Sequence, residues 1–300
     1  MSSKRASTAS PANDVATALI PSSASSVGDA LRRANGELSP SPSASLDSQL
    51  LMGHVLGKER SWILAHGDAP MTEDAVDQFR QLVSARVDGV PVAYLRGFCE
   101  WFGMKLRVTP RVLVPRPETE LLVEAAVTIA RAADTRHIVD VGTGSGAIAI
   151  QLARSLPDAV VSGVDVSREA LQVARDNAES TGTAHRTRWL EGNLLAPVRS
   201  QPDLIVANLP YLSDEMMDEL DADVRHEPAL ALHGGHTGLE LYRELFEQRR
   251  DRGWRAPVLV EIGARESGAM SFLLQHEFSE WTFRVLQDYA GLDRIVVVGA

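Results

Sequence analysis

Asp140-Val141-Gly142-Thr143-Gly144-Ser145-Gly146 decides how this chain is read. The apolar-rich residues 138–141 predict a buried strand, and residues 147–156, stopped by Pro157, predict a helix. Glycines between a strand and a helix let the backbone turn sharply and come close to a ligand. A second strand over residues 160–164 leads to Asp165, 21 residues after Gly144. A carboxylate at that place can accept hydrogen bonds from both hydroxyls of a ribose. Strand, glycine loop, helix, strand and acid in this order predict a nucleotide site at the carboxyl edge of a sheet.

Towards the C-terminus, Ser167 caps a helix running through Ala170, Leu171, Ala174 and Ala178 to Gly182, and strands follow at 187–190, 204–207, 258–262, 282–287 and 295–298. Strands alternating with helices predict an α/β fold with a doubly wound, mostly parallel seven-stranded sheet. The last two strands are too close in sequence for a helical crossover, so they are expected to be antiparallel. Towards the N-terminus, helical spacing covers residues 46–95, with Thr72 as an N-cap ahead of Glu73 and Asp74. Residues 96–117 turn aromatic and β-branched around Gly103 and predict a β-hairpin linker. Residues 1–45 are rich in Ser, Ala and Pro and read as a flexible tail interrupted by a short helix near 27–34. The expected organisation is therefore tail 1–45, helical domain 46–95, linker 96–117 and catalytic domain 118–300.

Composition narrows the function. Among 300 residues, 44% are hydrophobic and 23% charged, enough for a real core and far from a disordered or collagen-like chain. No apolar run reaches the roughly 18 to 20 residues of a bilayer span, so no membrane partner is expected. A single cysteine, Cys99, excludes an internal disulfide and a thiolate cluster for structural zinc, which fits a reducing, cytoplasmic setting without a metal. The net charge of −10 is concentrated after residue 115, where 18 Lys and Arg face 29 Asp and Glu. Such a surface suits direct nucleic-acid binding poorly.

Asn208-Leu209-Pro210-Tyr211 ends the fourth strand, which topology places beside the nucleotide crevice. An Asn side-chain carbonyl and a neighbouring backbone carbonyl can accept both hydrogens of a planar NH2 group. That geometry selects amide or amino nitrogens. Such a nitrogen is a weak nucleophile, so the catalytic contribution is to hold it in line with an electrophile and draw on its hydrogens as it pyramidalises. Pro210 keeps Leu209 extended and so fixes where its carbonyl points, and Tyr211 can stack on a flat substrate group. His54, His66, His185, His233 and His236 share no metal-ligand spacing, His226 reads as structural, and Glu261 reads as a solvated strand end bordering the substrate crevice.

Together with other stretches, these motifs resemble the HemK/PrmC protein-(glutamine-N5) methyltransferases that modify peptide chain release factors. The resemblance runs from Leu46 to the C-terminus through Pro91-Val92-Ala93-Tyr94-Leu95-Arg96-Gly97, Glu100-Trp101-Phe102-Gly103, Val114-Pro115-Arg116-Pro117-Glu118-Thr119-Glu120, residues 140–150, Asn208 to Tyr211, and His226-Glu227-Pro228 leading into Ala231-Leu232-His233-Gly234-Gly235. It implies a Rossmann-like class I methyltransferase domain behind a small helical substrate-recognition domain. It implies S-adenosyl-L-methionine as cofactor and S-adenosyl-L-homocysteine as product, held by Asp140, Gly142, Thr143, Gly144, Ser145, Gly146, Asp165, Asn193, Leu194 and Asn208, with Asp140 near the methionine end. The implied substrate is the glutamine of a Gly-Gly-Gln loop, held by Asn208, Leu209, Pro210 and Tyr211 and walled by Arg116, Pro117 and Glu118, with the enzyme acting as a monomer. Two positions depart from the family: Leu209 stands for a proline, and Asn193-Leu194 for Asp followed by an aromatic.

Three other readings compete. Gly144-Ser145-Gly146-Ala147 also satisfies a relaxed dinucleotide pattern, as in NAD-dependent dehydrogenases. Asn-Leu-Pro-Tyr as written also occurs in ribosomal RNA adenine N6-dimethyltransferases, against which the acidic second half argues. A non-catalytic binding module would show a broken glycine loop or a lost Asn, and both are intact.

Overall fold

The computed structural model describes residues 26–39 and 41–299. Two compact units divide after Ser84. The first is helical, with α1 (Val27–Glu37), α2 (Ala44–Leu56), α3 (Arg60–Ala65) and most of α4 (Glu73–Val87). Thr72 accepts a hydrogen bond from the Ala75 amide at 3.3 Å and caps α4, as its sequence predicts. The helix α1 covers the stretch 27–34 where a short helix was expected within the tail. Val27, Ala30, Ala34 and Leu38 are buried along one face, and Ser26 caps the start. Small side chains at helical spacing carry little apolar bulk, which made this stretch resemble the Ser/Ala/Pro-rich residues before it. The remainder of that expectation, residues 1–25, lies outside the described residues.

The second unit begins with α5 (Val92–Arg96) and a hairpin of β1 (Phe98–Trp101) and β2 (Met104–Arg107), closed by Phe102 and Gly103 at positive φ. The hairpin packs within this unit. The Arg107 amide donates to Asn177 Oδ1 at 2.7 Å, and Tyr94, Ala93 and Cys99 pack on Val108, Val112, Ala170 and Val173.

Next come α6 (Thr119–Ala132), β3 (His137–Val141), α7 (Ala147–Ser155), β4 (Val160–Asp165), α8 (Arg168–Ser180), β5 (Thr187–Glu191), β6 (Leu204–Ala207), α9 (Asp214–Asp218), α10 (Glu240–Asp251), β7 (Val258–Glu261), α11 (Ser267–Glu277), β8 (Phe283–Gln287) and β9 (Asp293–Val298). The sheet order is β5-β4-β3-β6-β7-β9-β8. Only β9 runs antiparallel to its neighbours, in agreement with the sequence expectation. Side-chain alternation sorts the core into two layers. Ile138, Leu204, Val206 and Leu259 pack with Leu122, Val123 and Ala126 of α6 and Ile150 and Leu152 of α7. Val139, Val141, Ile205, Ala207, Val258 and Val260 pack with Tyr242, Leu245 and Phe246 of α10 and Met270 and Leu273 of α11. Because both faces are covered, the central strands are apolar throughout, and the loops at their carboxyl ends converge on one crevice. No helix among the described residues is long and apolar enough to cross a membrane.

Candidate active site

Parity along the strands places the polar groups. Asp140 shares the α6/α7 face with Ile138, Asn208 continues the parity of Val206, and Glu261 that of Leu259. In the ladders Asp140 pairs with Val206, Val141 with Ala207, and Ala207 with Val260. Asn208 and Glu261 therefore stand one residue beyond the last paired positions of adjacent strands.

A cavity of about 400 Å³ opens where the ends of β3, β4 and β6 meet. Gly142, Gly144, Asp165, Asn193, Leu194, Asn208, Leu209 and Pro210 line it. Asp165 is held by two amides: its Oδ2 accepts from Gly144 and its Oδ1 from Ser167, both at 2.9 Å. Burial nevertheless raises its pKa. Each oxygen keeps a lone pair for a ligand hydroxyl. Gly144, at φ +53°, has nothing within 4 Å of where a Cβ would stand, so the loop is open towards the ligand side. The Asn193 amide donates to Glu244, which leaves Asn193 Oδ1 as a free acceptor beside Leu194. These groups fit the adenosine part of S-adenosyl-L-methionine: a carboxylate for the ribose, a carbonyl for an amino group, and apolar walls from Val166, Leu194 and Leu241 in place of an aromatic one.

Other residues expected at the cofactor lie behind the cavity wall. Asp140, Thr143, Ser145 and Gly146 do not line the cavity. Asp140 is wholly buried, accepts from Thr143 Oγ1 at 2.6 Å and from the Ala149 amide at 3.2 Å, and so clamps the glycine loop onto the first turn of α7. Burial pushes its pKa up to about 7. Its parity points it under α7, beneath the loop. Ser145 contributes a carbonyl that accepts from Asn177 Nδ2 at 2.9 Å, and the Gly146 amide donates to the Thr143 carbonyl at 2.8 Å.

A second cavity, also about 400 Å³, shares Leu113, Asn208, Leu209, Pro210 and Ala231 with the first. It adds Arg116, Tyr211, Met216, Asp221, Glu261 and Arg265. Asn208, Leu209 and Pro210 are thus the partition between two adjoining spaces. Of the expected substrate-wall residues Arg116 lines this cavity, whereas Pro117 and Glu118 do not. The Leu209 carbonyl lies 3.1 Å from the hydroxyl of the buried Tyr242, which also reaches the Glu261 carbonyl at 2.6 Å. A single phenolic proton can serve only one of them at a time. Tyr242 therefore braces the position where the family proline is replaced by Leu.

Sequence reasoning missed two supports. Glu227, with its side chain 2% exposed, pairs with Arg116 and accepts from the Val114 amide at 2.9 Å, tying the Pro-Arg-Pro loop to the segment Pro228 to Ala231 that walls the first cavity. Its signal was present as the His-Glu-Pro motif. Trp101 Nε1 donates to the Arg116 carbonyl at 2.8 Å and holds the same loop from the hairpin side. Glu261, expected as a solvated strand end, is 4% exposed instead, because α6 covers its face of the sheet. His226 donates from Nε2 to the Asp88 carbonyl at 3.0 Å, a structural contact as anticipated.

Comparison with known proteins places the chain among relatives. Residues 29–97 match the PrmC N-terminal domain and residues 117–226 the methyltransferase small domain. The release factor glutamine methyltransferase of Moorella thermoacetica is 39% identical over 274 residues, covering 89% of this chain and 95% of the relative. That of Bacillus subtilis is 37% identical over 280 residues, covering 89% and 96%. Among solved structures, the hMettl16 catalytic domain in complex with the MAT2A 3'UTR hairpin 6 superposes with a TM-score of 0.54 over 66% of this chain and 76% of that one. At 14% identity that likeness shows the shared Rossmann-like methyltransferase fold alone.

Proposed function

The chain belongs to the family of release factor glutamine methyltransferases, and from that premise we propose that it methylates the side-chain amide of the glutamine in the Gly-Gly-Gln loop of peptide chain release factors. The observation that carries the reading is the partition: Asn208, Leu209 and Pro210 face a cavity suited to S-adenosyl-L-methionine on one side and a cavity of side-chain size on the other. When bound, S-adenosyl-L-methionine supplies an electrophilic sulfonium methyl group. The residues of the chain supply position. Asn208 Oδ1 accepts one amide hydrogen, and the second lone pair of the Leu209 carbonyl accepts the other, which turns the nitrogen towards the cofactor cavity. Both acceptors strengthen as the nitrogen gains positive charge, and the methylated amide then gives up one proton to solvent water. Tyr211 and Arg116 wall the side chain, and burial keeps the Tyr211 hydroxyl protonated by raising its pKa to about 12. The helical unit, which carries most of the PrmC N-terminal domain match, is assigned to recognition of the release factor, and a cytoplasmic location follows from that substrate.

The test is transfer of labelled methyl from S-adenosyl-L-methionine to a purified unmodified release factor, beside a factor whose Gly-Gly-Gln glutamine is replaced by alanine and beside ribosomal RNA. Label on the unaltered factor only is expected. Label on the RNA, or on the alanine form, would overturn the reading. In the same assay Asn208→Ala is expected to lower kcat by about 100-fold or more while cofactor affinity, measured by calorimetry, stays within about threefold of the native value.

A further inference from the structure

The proton that leaves a methylated amide nitrogen needs an acceptor on its way to water. Asn208 Oδ1 and the Leu209 carbonyl can hold the amide hydrogens, but an amide oxygen is too weak a base to keep a proton. A stronger base stands beside them. In the ladder between β6 and β7, Val206 pairs with Leu259 and Ala207 with Val260, so the next residues, Asn208 and Glu261, emerge side by side and continue the parity of the α6 face. Both line the substrate cavity. Glu261 is 4% exposed, and its Oε2 has no hydrogen-bond partner. A buried acceptor left unpaired is costly to the fold, so its retention calls for a use. The cations nearest it are engaged elsewhere, Arg116 by Glu227 and Arg294 by Asp288 at 3.0 Å. Glu118 and the hydroxyls of Tyr211 and Tyr242 also sense its charge, and Glu219, Asp221 and Arg265 share its cavity.

Resting on the proposed glutamine methylation, we propose that Glu261 is a further catalytic residue, whose carboxylate takes the proton released by the methylated nitrogen and returns it to water once the product has left. The step balances without another reactant. The nitrogen lone pair forms the bond to the methyl carbon as the carbon–sulfur pair returns to sulfur, which leaves a positive nitrogen that still carries both hydrogens. One N–H bond then breaks towards Glu261 Oε2: its pair restores the amide, and the carboxylate becomes a neutral carboxylic acid. Until that transfer the negative carboxylate stabilises the developing cation, and the attraction is strong because the pair is largely shielded from water. Burial, which pushes the Glu261 carboxyl up to about 7, makes it a stronger base than an exposed glutamate while leaving a large fraction ionised near neutrality.

The experiment compares the native full chain with Glu261→Gln, which keeps the shape and removes the charge, using an unmodified release factor as substrate. Glu261→Gln is expected to lower kcat by about 100-fold, with cofactor affinity and KM for the release factor within about threefold of native. Binding gives a second readout, independent of turnover. Ornithine in place of the loop glutamine sets an ammonium where the amide nitrogen would stand, so a Gly-Gly-ornithine loop peptide imitates the charged nitrogen. With S-adenosyl-L-homocysteine present, calorimetry on the native chain is expected to show this peptide binding about 10-fold more tightly at pH 8 than at pH 6 as the carboxyl ionises. Glu261→Gln is expected to show no such change, and the glutamine peptide none in either protein. Turnover by Glu261→Gln within about threefold of native, or the same pH dependence of ornithine binding in both proteins, would overturn the inference while leaving native glutamine methylation standing. So would a loss of rate matched by an equal loss of glutamine-peptide affinity, since Glu261 would then only bind. Absence of transfer by the native chain itself would instead overturn the reading beneath it, and the inference with it.

Discussion

Burial pushes the Glu261 carboxyl up to about 7, against the Thr119 hydrogen bond and the Arg294 and Arg116 charges, and with Glu118 adding to the rise. Tyr211 and Tyr242 face the same carboxyl, and burial keeps both hydroxyls protonated. Glu261 lines the substrate cavity, and its ionised form favours an amide nitrogen that gains positive charge on methylation. Methyl transfer is therefore expected to rise with pH through about 7 in the native chain and to show no such inflection in Glu261→Gln. Rates across roughly pH 5.5 to 9 at saturating substrates check this, and a shared inflection would assign it to another group. Asn208 was legible in the sequence because Asn-Leu-Pro-Tyr follows a strand end directly and its chemistry is local. Glu261 was not, since a glutamate closing an apolar strand looks solvated until the sheet is known to be covered on both faces.

At the scale of elements, the glycine loop is shaped by what lies under it. Gly163 on β4 leaves room for the Trp189 ring of β5: a Cβ there would stand 2.5 Å from Trp189 Cζ3 and 2.8 Å from Thr143 Oγ1. Gly146, at φ +81°, meets the other edge of the same indole, 2.9 Å from an added Cβ. One ring thus supports the loop from below and fixes where Thr143 reaches Asp140. Gly163→Ala is expected to cost about 1 to 3 kcal/mol of stability through overpacking. Because the atoms displaced include the Thr143 hydroxyl, it should also weaken cofactor binding. Denaturant unfolding and calorimetry measure the two effects, and lost stability with unchanged affinity would show that the clamp does not set the loop. The order of these elements could be read from strand and helix periods. Their fit could not, because Trp189 and Gly163 lie on different strands and only the parallel register brings them together. The same limit hid the packing of α1, a helix that the sequence predicts over 27–34 without disclosing what its buried face meets.

For the whole molecule, the buried carboxyls set how stability follows pH. Asp140 and Glu261 rise from ordinary values of 3.8 and 4.5 to about 7, and burial raises Asp165 and Glu266 in the same direction. Between those limits the folded chain holds more protons than the unfolded chain, so stability falls as pH rises from about 4 to about 7 and levels off above. His236, raised by its hydrogen bond to Asp214, adds a loss of the same sign as pH climbs past its raised value. Asp214, Asp288 and Asp293 are lowered, chiefly by His236, by the Leu292 amide and by Ser267, and their contribution disappears only in stronger acid. Unfolding midpoints are therefore expected to peak in mild acid and decline towards pH 8, with Glu261→Gln flattening the decline. A midpoint that climbs from pH 5 to 8 would show that burial does not dominate these carboxyls. Over one pH window, ionisation of Glu261 costs stability and places a negative charge in the substrate cavity. A single substitution should thus move the two properties apart: Glu261→Gln is expected to unfold at higher denaturant than the native chain at pH 8 while turning over more slowly. If it gains stability and loses no rate, the charge is a burden without a role; if it loses both, the carboxylate holds the fold and not the amide.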